Sequence, residues 1–149
     1  VKKILLFLIK KSNYIWTITM NSTKKIIRTT NAPEPIGPYS QAVEYQGLLY
    51  CSGQIALDPA TGNLIQDNIT AETHQVMKNI EAVLREAGVG FDQVIKTTIF
   101  LTDMDFFGEV NAVYGSYFTQ HFPARETIAV KGLPKGVRVE ISVLAGSIK

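Results

Sequence analysis

The sequence predicts an α+β domain in which two helices lie together on one face of a β-sheet. Three observations carry that prediction. Two stretches repeat apolar residues at helical spacing, six short strand-like segments surround them, and Gly/Pro turn signals separate the pieces into the order β-β-β-α-β-α-β-β. Two one-sided amphipathic helices can cover only one face of such a sheet, so a two-layer sandwich follows. At 149 residues the chain is long enough to bury a core without disulfides.

Each element has its own warrant. Residues 24–30 are short and β-branched, a first strand. Asn31-Ala-Pro-Glu-Pro-Ile-Gly-Pro38 then forbids regular structure. Short strands at 40–45 and 48–55 meet at Gln46-Gly47, and Asp58-Pro-Ala-Thr-Gly62 is a turn. A helix is expected over 71–87, capped by Thr70, with Glu72 in its first turn and Gly88 as its stop. Val76, Ile80, Val83, Leu84 and Ala87 share one of its faces. The run 93–101 (QVIKTTIFL) reads as a mostly buried strand. Thr102 or Asp103 opens a second helix with the stripe Phe106, Val110, Val113, Tyr114 and Tyr117, ended by Phe122-Pro123. Strands at 125–131 and 137–146 flank the turn Leu133-Pro-Lys-Gly136. Val137, Val139, Ile141 and Val143 on the last strand are much aliphatic surface for a sheet with one uncovered face, which suggests self-association.

Residues 1–19 stand apart from the domain, which is taken as 20–149. Their apolar run 4–9 is far short of the roughly 20 residues that span a bilayer. They read as sequence upstream of a start at Met20, as a targeting segment, or as a structural extension, and all three stay open. A cytoplasmic location is expected, or a mitochondrial one if this segment is a presequence. The formal charge of +2 owes its sign to Lys2, Lys3, Lys10 and Lys11. Without them 15 basic residues become 11 against 13 acidic, a balance of −2 that argues against a domain built on nucleic-acid phosphates. The single cysteine, Cys51, excludes an internal disulfide and fits a reducing compartment.

Glu140 is the most informative candidate, a carboxylate inside an aliphatic strand. It needs a cationic or hydrogen-bonding partner, or its pKa rises and it holds a proton. Arg125 opens what reads as the neighbouring strand and offers a planar fork suited to carboxylates. Either Glu140 pairs with Arg125 or Arg138 and merely holds the sheet edge, or the two residues do chemistry. His74 and His121 lie outside any metal-ligand spacing, so surface or capping roles are expected and no metal site. Cys51 lacks an evident base, and Ser52-Gly53 lacks the nucleophile-elbow context; Gly53 reads as a point of close backbone approach. Neither GxGxxG nor GxxxxGK[ST] occurs, so no nucleotide site is suggested.

Taken together, the segments resemble the Rid/YjgF family of enamine/imine deaminases from about Thr23 onward. The matching pieces are Asn31-Ala-Pro with Ile36-Gly-Pro-Tyr-Ser-Gln, Ser52-Gly-Gln-Ile, Asp58-Pro-Ala-Thr-Gly, Val94-Ile-Lys-Thr-Thr-Ile-Phe-Leu, Val110-Asn-Ala-Val-Tyr, Phe122-Pro-Ala-Arg, and Leu133-Pro-Lys-Gly with Val139-Glu-Ile. Each is weak alone; their joint order is specific. The resemblance implies a mixed sheet of the chorismate-mutase-like kind and a homotrimer with a central barrel and active sites between subunits. It implies cofactor-free and metal-free hydrolysis of 2-aminoacrylate, 2-aminocrotonate and their imine tautomers to 2-oxo acids and ammonia. Arg125 would grip the substrate carboxylate and Glu140 would orient the attacking water. Tyr39 would close the pocket from across the interface, Ser52 and Gly53 would line it, Asn111 would support it, and main-chain groups near Thr127 would lie beside the substrate. Many bacterial members carry cysteine where this chain has Thr127, so thiol-based regulation is not expected. Two other classes stand beside the hydrolase: an RNA-directed translation inhibitor or ribonuclease, and a non-catalytic trimer binding small carboxylates.

Overall fold

The computed structural model describes residues 23–147, preceded by two short strands, β1 (Lys10–Lys11) and β2 (Tyr14–Ile15), paired antiparallel. Apart from these pairs, the segment 1–19 lies outside the described residues. The main sheet has six strands: β3 (Lys25–Ile27), β4 (Ala42–Tyr45), β5 (Leu48–Cys51), β6 (Val94–Leu101), β7 (Ala124–Ala129) and β8 (Val139–Gly146). They lie in the order β3-β4-β5-β8-β6-β7. Only β6 and β7 run parallel, so the sheet is mixed. Two helices, α1 (Ile69–Glu86) and α2 (Phe107–Gly115), complete the expected α+β order.

The layers follow from the strand alternation. Val139, Ile141, Val143 and Ala145 of β8 are buried and alternate with half-buried Glu140, Ser142, Leu144 and Gly146. Val76, Met77, Ile80 and Leu84 of α1 join Leu49, Ile99, Leu101 and Ile141 in one core. Burying each such aliphatic side chain is worth about 1.5–3 kcal/mol. The stripe expected on the second helix also holds, with Val110, Val113 and Tyr114 buried and Phe106 and Tyr117 packed against the core edge.

Three sequence expectations need correction. Asn68, not Thr70, caps α1: its Oδ1 accepts the Ala71 N–H at 2.8 Å, while Thr70 donates to Glu109. β7 and β8 are not neighbours, because β6 lies between them. The aliphatic row used to argue for self-association lies under the helices, with Val137, Val139 and Ile141 at 0 % exposure and Val143 at 5 %. The open face instead carries the row Ile26, Val43, Tyr50 and Leu144 with Phe100 and Ile128, of which Ile26, Tyr50 and Ile128 are each nearly half exposed.

The loops are held by buried polar side chains. Gln41 accepts the Thr29 N–H at 2.7 Å and donates to the carbonyls of Thr29, Ala32 and Pro33, fixing the proline-rich segment. Asn79 of α1 donates to the Ile55 and Leu57 carbonyls, both at 2.9 Å. Segment 52–55 also pairs with β8 through reciprocal Gln54–Ile141 backbone bonds of 2.8 and 3.1 Å, which places Gly53 beside Glu140.

Candidate active site

Glu140 projects from the open face of β8, in register with Phe100. Ile36, Tyr39, Ser52, Gly53, Ile55 and Pro134 complete a cavity of about 290 Å³ around it, a volume suited to a small ligand. Ser52 is fixed by donating its hydroxyl to the Ser40 carbonyl at 2.7 Å, and the Tyr39 hydroxyl accepts the Ile36 N–H at 3.3 Å. Gly53 lies so close that a Cβ there would collide with the Glu140 carboxyl, Cδ falling at 2.7 Å and Cγ at 2.9 Å. The close approach read from the sequence is therefore present. Glu140 has no ion-pair partner among the described residues, and burial pushes its carboxyl above the ordinary glutamate range.

Neither structural partner proposed for Glu140 is used. Arg138 instead pairs with Glu72, at 2.7 Å from Nε to Oε2. Arg125 sits in register with Thr97 on the helix-covered side of the sheet. There its Nη1 donates to Asn111 Oδ1 at 2.8 Å, and its guanidinium lies 5.0 Å from the Tyr114 ring and 5.8 Å from that of Phe107. These contacts hold the cation in a second cleft, of about 400 Å³, with Gly115, Phe122 and Pro123. The guanidinium keeps free donors while its plane is fixed, as a carboxylate fork requires.

The chain thus sorts the sequence-derived residues into two groups. Tyr39, Ser52, Gly53 and Glu140 share one cleft; Arg125 and Asn111 share the other. Thr127 lines neither, and its buried Oγ1 lacks a hydrogen-bond partner. Arg125 and Glu140 lie two strands apart on opposite faces of the sheet, with Thr97 and Phe100 of β6 between them. The cleft with the carboxyl has no cationic side chain in its lining, and the cleft with the cation has no carboxylate.

His74 lies against Tyr117, with Nδ1 3.0 Å from the hydroxyl, and takes no part in either cleft. Burial raises the Cys51 thiol to about 12, which removes it as a nucleophile near neutral pH. Sequence reasoning missed the Glu72–Arg138 pair. A glutamate in the first turn of a helix looks like a partner of the helix dipole, and only the tertiary fold turns it inward.

An α+β sandwich of this strand order, with a carboxyl in one cleft and an arginine fork in another, defines a class that comparison with known proteins makes specific. The family model described as Endoribonuclease L-PSP matches residues 29–147. A 2-iminobutanoate/2-iminopropanoate deaminase of Mus musculus is 47 % identical over 122 residues, covering 82 % of this chain and 90 % of that protein. A RutC family protein of Synechocystis is 50 % identical over 125 residues, 83 % of this chain and 96 % of the relative. The solved structure of a Rid family protein from Yersinia pestis superposes with a TM-score of 0.82 at 51 % identity, covering 83 % of this chain and 99 % of that one. The chain belongs to the Rid/YjgF family.

Proposed function

We propose that the protein hydrolyses 2-imino acids, reached from their enamine tautomers, to 2-oxo acids and ammonia, at a site formed by two copies of the chain. The observation that carries this reading is the division of labour between the clefts. An imino acid needs a cation for its carboxylate and a proton-exchanging group for water, and each copy offers these on opposite faces. Joining the Arg125 cleft of one copy to the Glu140 cleft of another supplies both. The exposed Ile26, Tyr50 and Ile128 give a self-associating surface a physical reason, and a trimer is the assembly we propose. The mouse relative's name supports the reaction class.

In this scheme the Arg125 fork binds the substrate carboxylate, held flat by Asn111 and Tyr114. Glu140 accepts a proton from water as the oxygen adds to the imine carbon, and a carboxyl raised by burial is suited to that exchange. The tetrahedral intermediate then expels ammonia after proton return to nitrogen, leaving the 2-oxo acid. Tyr39, Ser52 and Gly53 shape the pocket around Glu140, and the main chain near Thr127 lies beside the substrate. No step calls on a metal or cofactor.

The description of the matching family model raises RNA cleavage as a second reading. The uncharged, partly apolar lining around Glu140 gives phosphate no cation there. One assay separates the readings: a threonine dehydratase acts on threonine with semicarbazide competing for the imine, and 2-oxobutanoate is followed with and without the protein. Faster oxo-acid formation that Arg125→Ala and Glu140→Gln each abolish is expected. Mixing the two inactive variants under subunit exchange should restore part of the rate. No effect of the parent protein on the partition would sink the reaction. Loss without restoration on mixing would sink the two-copy site.

A further inference from the structure

We infer that Glu72 is a positioning residue that sets the geometry of the Glu140 cleft from helix α1, acting through Arg138. This rests on the reading that Glu140 works in that cleft. Glu72 is fully buried, and a buried carboxylate is costly unless both oxygens are answered. One residue answers both: the Arg138 main-chain N–H reaches Oε1 at 2.6 Å and its Nε reaches Oε2 at 2.7 Å. A pair serving charge alone would not need the backbone. Here the main chain is gripped one residue before β8 begins and two before Glu140. The Arg138 carbonyl is held too, accepting the Thr102 N–H at 3.0 Å, so the peptides on both sides of Arg138 are fixed.

The same guanidinium is linked to a second part of the cleft lining. Arg138 Nη2 donates to the Gln66 carbonyl at 2.9 Å, and Gln66 Nε2 donates to the Gly136 carbonyl at 3.2 Å. That carbonyl belongs to the turn Pro134–Gly136, whose Pro134 lines the cleft and whose Lys135 sits at a φ of 57°, left-handed for a side-chain-bearing residue. Such a turn persists only when its surroundings over-determine it. Another part of the lining hangs from the same helix. Asn79, seven residues and two turns after Glu72, is likewise buried and holds the Ile55 carbonyl. One helix face therefore carries two buried polar side chains, one for each of these parts of the lining.

Glu72→Gln keeps the shape and can still accept the Arg138 N–H, but loses the charge that draws Nε. The expected result, measured well below the melting temperature, is a fall in kcat of about tenfold to a hundredfold. KM for the imino acid should stay nearly unchanged, because Arg125 lies outside this network. Amide exchange should quicken over residues 135–140 and stay the same over β7. A folded Glu72→Gln protein with parental kcat, or with a loss confined to KM, overturns the inference. If Glu72→Gln does not fold, Gln66→Ala decides: this exposed side chain can be cut without unfolding the core, and it should lower kcat severalfold and quicken exchange at the turn. Parental values for both overturn the inference. Full activity of Glu140→Gln would instead strike the reading of Glu140, and the exchange data would still judge Glu72.

Discussion

Replacing Gly53 by alanine puts one methyl group where Glu140 already stands. Ordinary van der Waals contact begins near 3.4 Å, and the new Cβ would sit 2.7 Å from Cδ, so the carboxyl must retreat by about 0.7 Å and its nearer oxygen by more. Segment 52–55 cannot yield instead, because Gln54 is bonded twice to Ile141 and Ile55 is held by Asn79. Glu140 can yield, since its side chain opens into the cleft. A misplacement near 1 Å can cost about a hundredfold in rate, so kcat/KM should fall between roughly tenfold and a hundredfold. Stability should not fall with it. Alanine for glycine at a compatible backbone position raises stability by about 0.4–1 kcal/mol through the unfolded chain, and Gly53 does not sit at positive φ. The dehydratase-coupled assay and a thermal melt of the same sample test both halves. A Gly53→Ala variant with parental kcat/KM would refute the claim that the Glu140 position governs turnover. One that fails to fold would refute the claim that Glu140 can move aside.

Other perturbations probe the remaining groups. Arg125→Lys keeps the charge but loses the fork, and forfeiting one charge-assisted hydrogen bond of about 1.5–3 kcal/mol predicts a 10- to 150-fold drop in kcat/KM; parental kinetics would remove the clamp. The proposed mechanism needs Glu140 as the carboxylate, so the acid limb of the kcat/KM profile should lie above the ordinary glutamate pKa, and a limb at or below that value would contradict its burial. The same shift affects stability. With its folded pKa above the unfolded one, Glu140 favours the fold below the ordinary pKa, and that contribution is lost as pH rises through the raised value. Glu140→Gln should therefore melt higher than the parent at neutral pH and equal it near about pH 4; a lower melting point at neutral pH would mean that the carboxylate has a stabilising partner. Cys51, raised to about 12, should resist iodoacetamide at pH 8 until the protein unfolds, whereas rapid labelling of the native state would show its burial to be wrong.

The sequence pattern reveals what depends on neighbours along the chain and conceals what depends on neighbours across it. The α1 stripe and the stop at Gly88, which has a φ of 75°, are local signals and are found where expected. The period-2 alternation of β8 was legible, but not which of its faces the helices would cover, because that depends on β5 and β6 at either side. Glu140 stands out in the sequence because a carboxyl among valines needs a partner or holds its proton more tightly, and the structure shows the second: its carboxyl is raised by burial and neither Arg125 nor Arg138 pairs with it. Its distance from Arg125 was hidden by the crossover that puts β6 between β7 and β8. Glu72 and Gln41 were hidden for the same reason: their buried partners, Arg138 and the carbonyls of 29–33, depend on tertiary approach. Asn68 in place of Thr70 was a choice between two good capping types two residues apart.

The place of β8 in the sheet also bears on how the protein is made. It is the last strand of the described chain, yet it sits between β5 and β6 with strands on both sides. A nascent chain that has emerged only as far as β7 has a three-stranded meander and a parallel pair with nothing joining them, and two unsatisfied strand edges that invite pairing with other chains. The sheet can close, and Glu140 can enter its cleft, only after β8 leaves the ribosome. Folding is then dominated by contacts distant in sequence, the regime in which it is slow. Premature termination before residue 139 should yield an aggregation-prone fragment and not a weakened form of the same fold.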